Sequence, residues 1–151
     1  MARRIGYEPR GAPGLSVVVS SVASDSHTWN LVYLQLVLEE LEHTVTNLGA
    51  CVPDELLVEE CLRLAPDLVV ISSVNGHGYI DGARLIVAFR ARPELADTPV
   101  VIGGMLGIAG PDGRGGHDLL INAGFNEVFD DGARLPAFRA YLEKLPVGVV
   151  V

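Results

Sequence analysis

Residues 67–78 read DLVVISSVNGHG, and this stretch decides the fold. Its first half is an unbroken apolar run, without the alternation that a strand with one wet face shows. Such a run is typical of a parallel strand that helices cover on both faces. The residues after Ile71, SSVNGHG, include two serines and two glycines and break the run at once. The stretch therefore predicts a buried strand that ends in a polar, tightly turning loop.

Similar strand and helix signals alternate on both sides of this stretch. Five such repeats predict an α/β fold, namely a doubly wound five-stranded parallel sheet with the flavodoxin-like (Rossmann-like) strand order. The predicted strands are residues 15–23, 44–48, 67–72, 99–102 and 127–129, and the predicted helices are residues 29–41, 54–64, 81–92, 117–123 and 136–144.

The length and composition predict one domain. The chain has 151 residues, of which 49% are hydrophobic, which is enough for one substantial core but not for two. Residues 1–14 are rich in Arg, Gly and Pro and are expected to form a flexible arm. The domain is expected at 15–145, followed by a short apolar tail at 146–151.

The charge of the chain excludes two classes of partner. Its formal net charge is −8, whereas nucleic acids and anionic membranes bind positive patches. The sequence has neither a secretory signal nor an apolar run of about 18 residues, so we expect a cytoplasmic protein. Cys51 and Cys61 lack the CxxC spacing of metal and redox sites and are expected to be free, buried thiols.

Three unusual loops follow predicted strands one, three and four. They read SDSHTWN at residues 24–30, SSVNGHG at 72–78 and GGMLG at 103–107. In an open parallel sheet, ligands bind beyond the carboxyl ends of the strands, where the strand order reverses. All three loops should therefore converge on one candidate site.

The first loop places an acid two residues before a histidine. Asp25 can bond one ring nitrogen of His27, which fixes the tautomer and raises the basicity of the other nitrogen toward a metal. The alternative is that Asp25 caps the following helix and His27 is a solvated loop residue.

The other two loops combine hydroxyls with small residues. Ser72 and Ser73 can bond a ring nitrogen, and Gly76, Gly103 and Gly104 let the backbone approach a ligand. Tight turns explain the same residues equally well. His77 and His117 are interpreted as exposed polar residues rather than as metal ligands.

Together these residues resemble the cobalamin-binding domain family. Ser24–His27 is similar to the SDxH start of the motif DxHxxG, Ser72–Val74 to the motif SxL, and Gly103–Gly104 to the motif GG. The resemblance extends over nearly all of residues 15–145. It is strongest to the small subunit of methylaspartate (glutamate) mutase, through SSVNGHGYID at 72–81, VVIGG at 100–104 and NAGFNEVF at 122–129.

The resemblance implies a cofactor, a role for each loop and a partner. The cofactor is adenosylcobalamin, held base-off with His27 as lower ligand to cobalt and Asp25 behind the ring. The chain would be an isomerase subunit without catalytic residues of its own, active with a larger barrel subunit that holds an amino-acid substrate. The implied cofactor-binding residues are Asp25, Ser26, His27, Asn30, Ser72, Ser73, Val74, Gly76, Gly103 and Gly104.

The chain departs from the family pattern at two positions, and other functions remain open. Asn30 stands in place of the motif's last Gly, on the path of the nucleotide tail, and Val74 stands in place of Leu. One alternative is a cobalamin-fold paralogue without mutase activity, such as a corrinoid carrier, a sensor or a structural subunit. Another is a flavodoxin-like nucleotide binder that cradles phosphate with Ser24, Ser26 and Thr28. A response regulator would need an Asp at the end of strand three, where Ser72 and Ser73 stand instead.

Overall fold

Strands and helices alternate along the chain, as the sequence predicts. The computed structural model describes residues 14–107, 115–129 and 134–145. The strands are β1 (Ser16–Ser20), β2 (Thr44–Asn47), β3 (Leu68–Ser73), β4 (Val100–Gly104) and β5 (Glu127–Phe129). The helices are α1 (Trp29–Glu40), α2 (Asp54–Leu64), α3 (Gly78–Arg90), α4 (Gly115–Ala123) and α5 (Arg134–Lys144), with a 3-10 turn at Pro93–Leu95.

The strands form one parallel sheet in the order β2-β1-β3-β4-β5. This is the flavodoxin-like order, so the predicted fold class is confirmed. The strand order reverses between β1 and β3, which pair with Val19 opposite Val70. At the far end of the next pair, Ser72 lies opposite Gly103. The carboxyl ends of β1, β3 and β4 thus lie side by side.

Each central strand contributes to two cores, because successive side chains point to opposite faces of the sheet. Val69, Ile71 and Ile102 pack under α2, α3 and α4. Val70 and Val101 pack under α1 and α5. Both sets are almost fully buried, which is why β3 and β4 read as continuous apolar runs.

Some element boundaries differ from the prediction. The helix α3 begins at Gly78 rather than at residue 81, because the Asn75 side chain accepts a hydrogen bond from the His77 backbone N–H (3.0 Å) and closes the loop early. A glycine suits this first turn, since a Cβ on Gly78 would lie 2.5 Å from the Leu106 side chain. Strand β1 ends at Ser20 rather than at residue 23, because Ser21 turns to bond the backbone of Asp25.

The expectation for the cysteines is correct in part. Both are free, and Cys61 is buried, which raises the pKa of its thiol to about 12. Cys51 is exposed, so its predicted burial is wrong. The predicted arm, apart from Gly14, and the tail lie outside the described residues. Within the described part of the chain, no helix is long and apolar enough to cross a membrane.

Candidate functional site

The loops after β1, β3 and β4 meet at the edge of the sheet where the strand order reverses. The loop after β1 contacts the loop after β3 through Asp25, whose carboxylate accepts a hydrogen bond from the Val74 backbone N–H at 2.7 Å. The loop after β3 in turn contacts the loop after β4, where Gly76 N–H donates to the Met105 carbonyl at 3.1 Å. The predicted convergence of the three loops is therefore observed.

Asp25 is held in place by more hydrogen bonds than its neighbours in the loop after β1. The residue is fully buried, and its Oδ1 accepts hydrogen bonds from the backbone N–H of His27 (3.0 Å) and from Nδ1 of the same histidine (2.6 Å). Its carbonyl accepts from the Cys51 N–H at 2.8 Å and from the Ser21 hydroxyl at 3.0 Å. Asp25 does not cap α1, whose N-cap residue Thr28 makes no side-chain capping bond. The carboxylate instead bonds the ring of His27 and orients it, which is the contact that the spacing of the two residues predicts.

The electrostatics of this pair set the protonation of the ring. Burial works to raise the pKa of Asp25, but the hydrogen bonds from the His27 and Val74 backbones and from the His27 ring outweigh it and lower that pKa. The carboxylate therefore stays ionised at neutral pH and assigns the proton to Nδ1. The half-exposed His27 ring then keeps a lone pair on Nε2, which has no partner within the described residues.

A second polar network, which the sequence did not reveal, holds the same loop from the other side. The Ser24 hydroxyl donates to Asp81 on α3 and accepts from the Asn75 amide at 3.0 Å. Arg84 bonds the other Asp81 oxygen at 3.0 Å and Asp54 on α2 at 2.8 Å. In the sequence, Asp81 and Arg84 look like ordinary residues of a helix surface, so only their contacts identify them.

A cleft of about 340 Å³ opens next to this loop, between the sheet, α1 and α5. Its volume lies within the range of small-molecule sites, about 300–1,000 Å³. Most of its lining is apolar, and two polar side chains, Asn30 and Ser72, are buried in its wall. The lining residues are Trp29, Asn30, Tyr33, Leu34, Val70, Ile71, Ser72, Val74, Val101, Gly103, Gly104, Phe129, Leu135, Pro136 and Phe138.

The two serines at the end of β3 face opposite sides of the sheet. Ser72 shares the parity of Val70 and lines the cleft, where its hydroxyl accepts a hydrogen bond from the Asn30 amide at 2.7 Å. Ser73 shares the parity of Ile71, and its hydroxyl bonds the Asn75 side chain at 3.3 Å. Of the two serines, Ser72 is therefore the one that can bond a group in the cleft.

The glycines of β4 line the cleft, but the packing of the sheet also requires them. A Cβ on Gly103 would lie 2.9 Å from the Phe129 carbonyl oxygen, and one on Gly104 would lie 2.1 Å from the Ser73 carbonyl oxygen. Gly104 also has a φ of +120°, which disfavours any side chain. Ser26 and Gly76 are exposed and do not line the cleft.

Comparison with known proteins assigns a family to this arrangement. The model of the B12 binding domain matches residues 15–120, which is well over half of the chain. The chain belongs to the B12-binding domain family. The matched region holds every predicted site residue, from Asp25 to Gly104.

The relatives agree with this assignment. The glutamate mutase sigma subunit of Halobacterium salinarum is 30% identical over 114 residues, covering 76% of this chain and 75% of that subunit. A cobalamin-binding protein from Desulfitobacterium hafniense superposes with a TM-score of 0.66 at 19% identity, covering 85% of this chain and 59% of that one. A chemotaxis response regulator of Vibrio cholerae has the same fold, with a TM-score of 0.62, 11% identity and coverage of 87% and 99%. At these identities the two structures show the fold alone.

The residues present fit a corrinoid cofactor. His27 offers an imidazole nitrogen on the loop next to the cleft, and the cleft offers an apolar slot with the Ser72 hydroxyl in its wall. The side chain of Asn30, where B12-binding domains carry a motif glycine, occupies part of the wall without closing the slot. One structural detail stands out, because the Oδ1 of Asn30 is buried without a hydrogen-bond partner among the described residues.

Proposed function

We propose that this chain binds cobalamin with Nε2 of His27 as the lower ligand to cobalt. The observation that carries the proposal is the 2.6 Å contact between Nδ1 of His27 and the fully buried, ionised carboxylate of Asp25. A histidine that is only a surface residue needs no buried acid behind it. Imidazole nitrogen is a suitable axial ligand for a first-row transition metal such as cobalt.

Asp25 prepares His27 in two ways. It fixes the tautomer, so that Nε2 is the nitrogen that carries the lone pair. It also fixes the direction of the ring, because Asp25 is itself held by Val74, Cys51 and Ser21. The ring is therefore already oriented before a metal binds.

The cleft would hold the nucleotide tail of a corrinoid whose lower base is not bound to cobalt. Val70, Val101 and Phe138 form apolar walls that suit a flat aromatic ring. The Ser72 hydroxyl accepts a bond from Asn30 and still has its own proton to donate to a ring nitrogen. The tail would thus lie between α1, α5 and the sheet.

The relatives suggest the reaction to which this site contributes. Because the Halobacterium salinarum relative is a glutamate mutase sigma subunit, we infer an isomerase subunit that carries the adenosylated form of the cofactor. When bound, that cofactor supplies homolytic cleavage of its cobalt–carbon bond, the start of a carbon-skeleton rearrangement. A larger barrel-shaped partner subunit would hold the amino-acid substrate and exclude water from the reacting face. This chain's own residues bind and orient the cofactor.

The test is a titration of the purified chain with hydroxocobalamin and adenosylcobalamin, followed by electron paramagnetic resonance of the Co(II) form. The wild type should show hyperfine coupling from a protein nitrogen, and His27→Ala should lose that coupling. His77→Ala is the matched control, since His77 is an exposed histidine in the neighbouring loop and should leave the coupling intact. Coupling from a protein nitrogen that persists in His27→Ala, or no binding by the wild type, would contradict the proposal; labelling the protein with 15N separates this coupling from that of the cofactor's own base.

A second experiment tests the mutase assignment separately. The cobalamin-loaded chain should rearrange an amino acid such as glutamate when it is mixed with a substrate-binding mutase subunit. Binding of the cofactor without isomerase activity in any such mixture would leave the chain as a corrinoid carrier or sensor.

A further inference from the structure

Asn30 is the least explained residue of the site. It lies in the first turn of α1, is 6% exposed and lines the cleft. Its Nδ2 donates to Ser72 at 2.7 Å, while its Oδ1 is buried with no partner within the described part of the chain. A buried carbonyl without a hydrogen bond is unfavourable, so the amide gains from any ligand that pairs with it.

The Asn30–Ser72 pair can offer a ligand both kinds of hydrogen-bonding group. The Ser72 hydroxyl has a proton left to donate after accepting from Asn30. The terminal torsion of asparagine is broad, so the amide can turn to present its free end to the cleft. The pair therefore matches a ligand edge with a donor and an acceptor side by side.

We propose that Asn30 and Ser72 select the lower base of the corrinoid, favouring an aminopurine over dimethylbenzimidazole. The proposal rests on the function proposed above, and in particular on the tail entering the cleft. An aminopurine edge carries an amino donor next to a ring acceptor, and asparagine pairs with that edge in other recognition sites. Dimethylbenzimidazole carries two methyl groups on its outer ring, so it can accept from Ser72 but leaves the Asn30 amide without a partner.

The rest of the cleft does not distinguish the two bases. Both are flat and bicyclic and of similar size, and the walls formed by Val70, Val101 and Phe138 would meet either base through apolar atoms. The buried polar side chains of the lining are Asn30 and Ser72, so we assign the selection to this pair. One unpaired buried amide group corresponds to about a tenfold difference in affinity.

The experiment measures the dissociation constants of three corrinoids that share the same ring. These are cobinamide, which has no lower base, cobalamin with dimethylbenzimidazole, and the analogue with adenine as its base. Trp29 is the reporter, since it is the single tryptophan of the sequence and lines the cleft, where a bound corrinoid should quench its fluorescence. The variants are Asn30→Leu, which keeps the side-chain size but removes its polarity, and Asn30→Gly, which restores the family motif.

The expected result is that the wild type binds the adenine form about tenfold more tightly than cobalamin. Asn30→Leu should reverse or abolish that preference, and all three proteins should bind cobinamide alike through His27. Equal binding of both base forms by the wild type, or a preference that survives in Asn30→Leu, overturns the selection while cobinamide binding keeps the proposed function intact. Failure of the wild type to bind even cobinamide overturns both.

Discussion

The two faces of the sheet are packed differently at the edge where the strands end. On the face covered by α2, α3 and α4, the loop residues Val22 and Leu106 and Tyr79 in the first turn of α3 continue the core up to that edge. On the face covered by α1 and α5, the core holds Leu15, Leu38 and Leu142 near the other end, and the strand-end half is the open cleft.

This difference shows how one sheet combines stability with a binding site. The same strands supply both faces, so the strand sequences alone do not create the cleft. It arises because α1 and α5 leave a space over the end of β3. The side chains in the wall of that space include the buried polar residues Ser72 and Asn30. We call the face covered by α2, α3 and α4 the closed face, and the face covered by α1 and α5 the open face. The closed face should contribute more to the stability of the fold, and the open face should bind the ligand.

Truncation of one phenylalanine on each face tests this comparison directly. Phe89 is fully buried on the closed face, so Phe89→Ala should lower the free energy of unfolding by about 3–5 kcal/mol. Phe138 already borders the cleft, so Phe138→Ala should cost only about 1–2 kcal/mol. The measurement is the urea midpoint at constant slope. Equal losses for the two variants would show that the open face is packed as tightly as the closed one.

Replacing Asp25 tests whether hydrogen bonds, rather than apolar packing, hold the loops together at the strand ends of the open face. Asp25→Ala leaves the His27 and Val74 N–H groups without their acceptor and should cost about 2–3 kcal/mol. Because the folded pKa of Asp25 is lowered, its contribution is complete above the ordinary value of about 4 and is lost as the pH falls through the lowered pKa. Urea midpoints measured against pH should therefore fall less steeply in acid for Asp25→Ala than for the wild type.

The control for Asp25 is Asp67→Ala at the opposite edge. Asp67 also accepts a backbone N–H, from Ser16 at 2.8 Å, but that contact is exposed to solvent. Its loss should cost less than about 1 kcal/mol. If Asp67→Ala lowered the free energy of unfolding as much as Asp25→Ala, the buried hydrogen bonds of Asp25 to the His27 and Val74 N–H groups would stabilise the fold no more than an exposed contact does.

The sequence was sufficient for the fold and for two features of the candidate site, for identifiable reasons. The run DLVVIS is typical of a strand buried between two helical layers, and the alternation of strand and helix signals along the chain favours the parallel sheet. Asp25 and His27 are two residues apart, so their contact is local and readable from sequence. The alternation of side chains along β3 also predicts that Ser72 lies on the same face of the sheet as Val70.

The remaining contacts join residues that are distant in the chain. Asn30 and Ser72 are 42 positions apart, Asp25 and Val74 are 49 apart, and Ser24 and Asp81 are 57 apart. No local pattern signals such pairs, because each depends on how the loops are placed by the sheet. The sequence identified Asn30 as a departure from a motif, and only the structure shows that its side chain bonds Ser72.

The smallest expected effect concerns the start of β1, at the end of the open face that lies away from the cleft. His43 Nδ1 accepts the Leu15 backbone N–H at 2.9 Å, and burial lowers the pKa of this histidine. The neutral ring is the form that can accept, so its contribution of about 1 kcal/mol is complete above the ordinary value of about 6.5 and is lost as the pH falls through the lowered pKa. His43→Asn keeps an acceptor at the same position without titrating, so its unfolding free energy should be flatter with pH over this window. An identical slope in both proteins would mean that the start of β1 is held by apolar packing alone, as the closed face is.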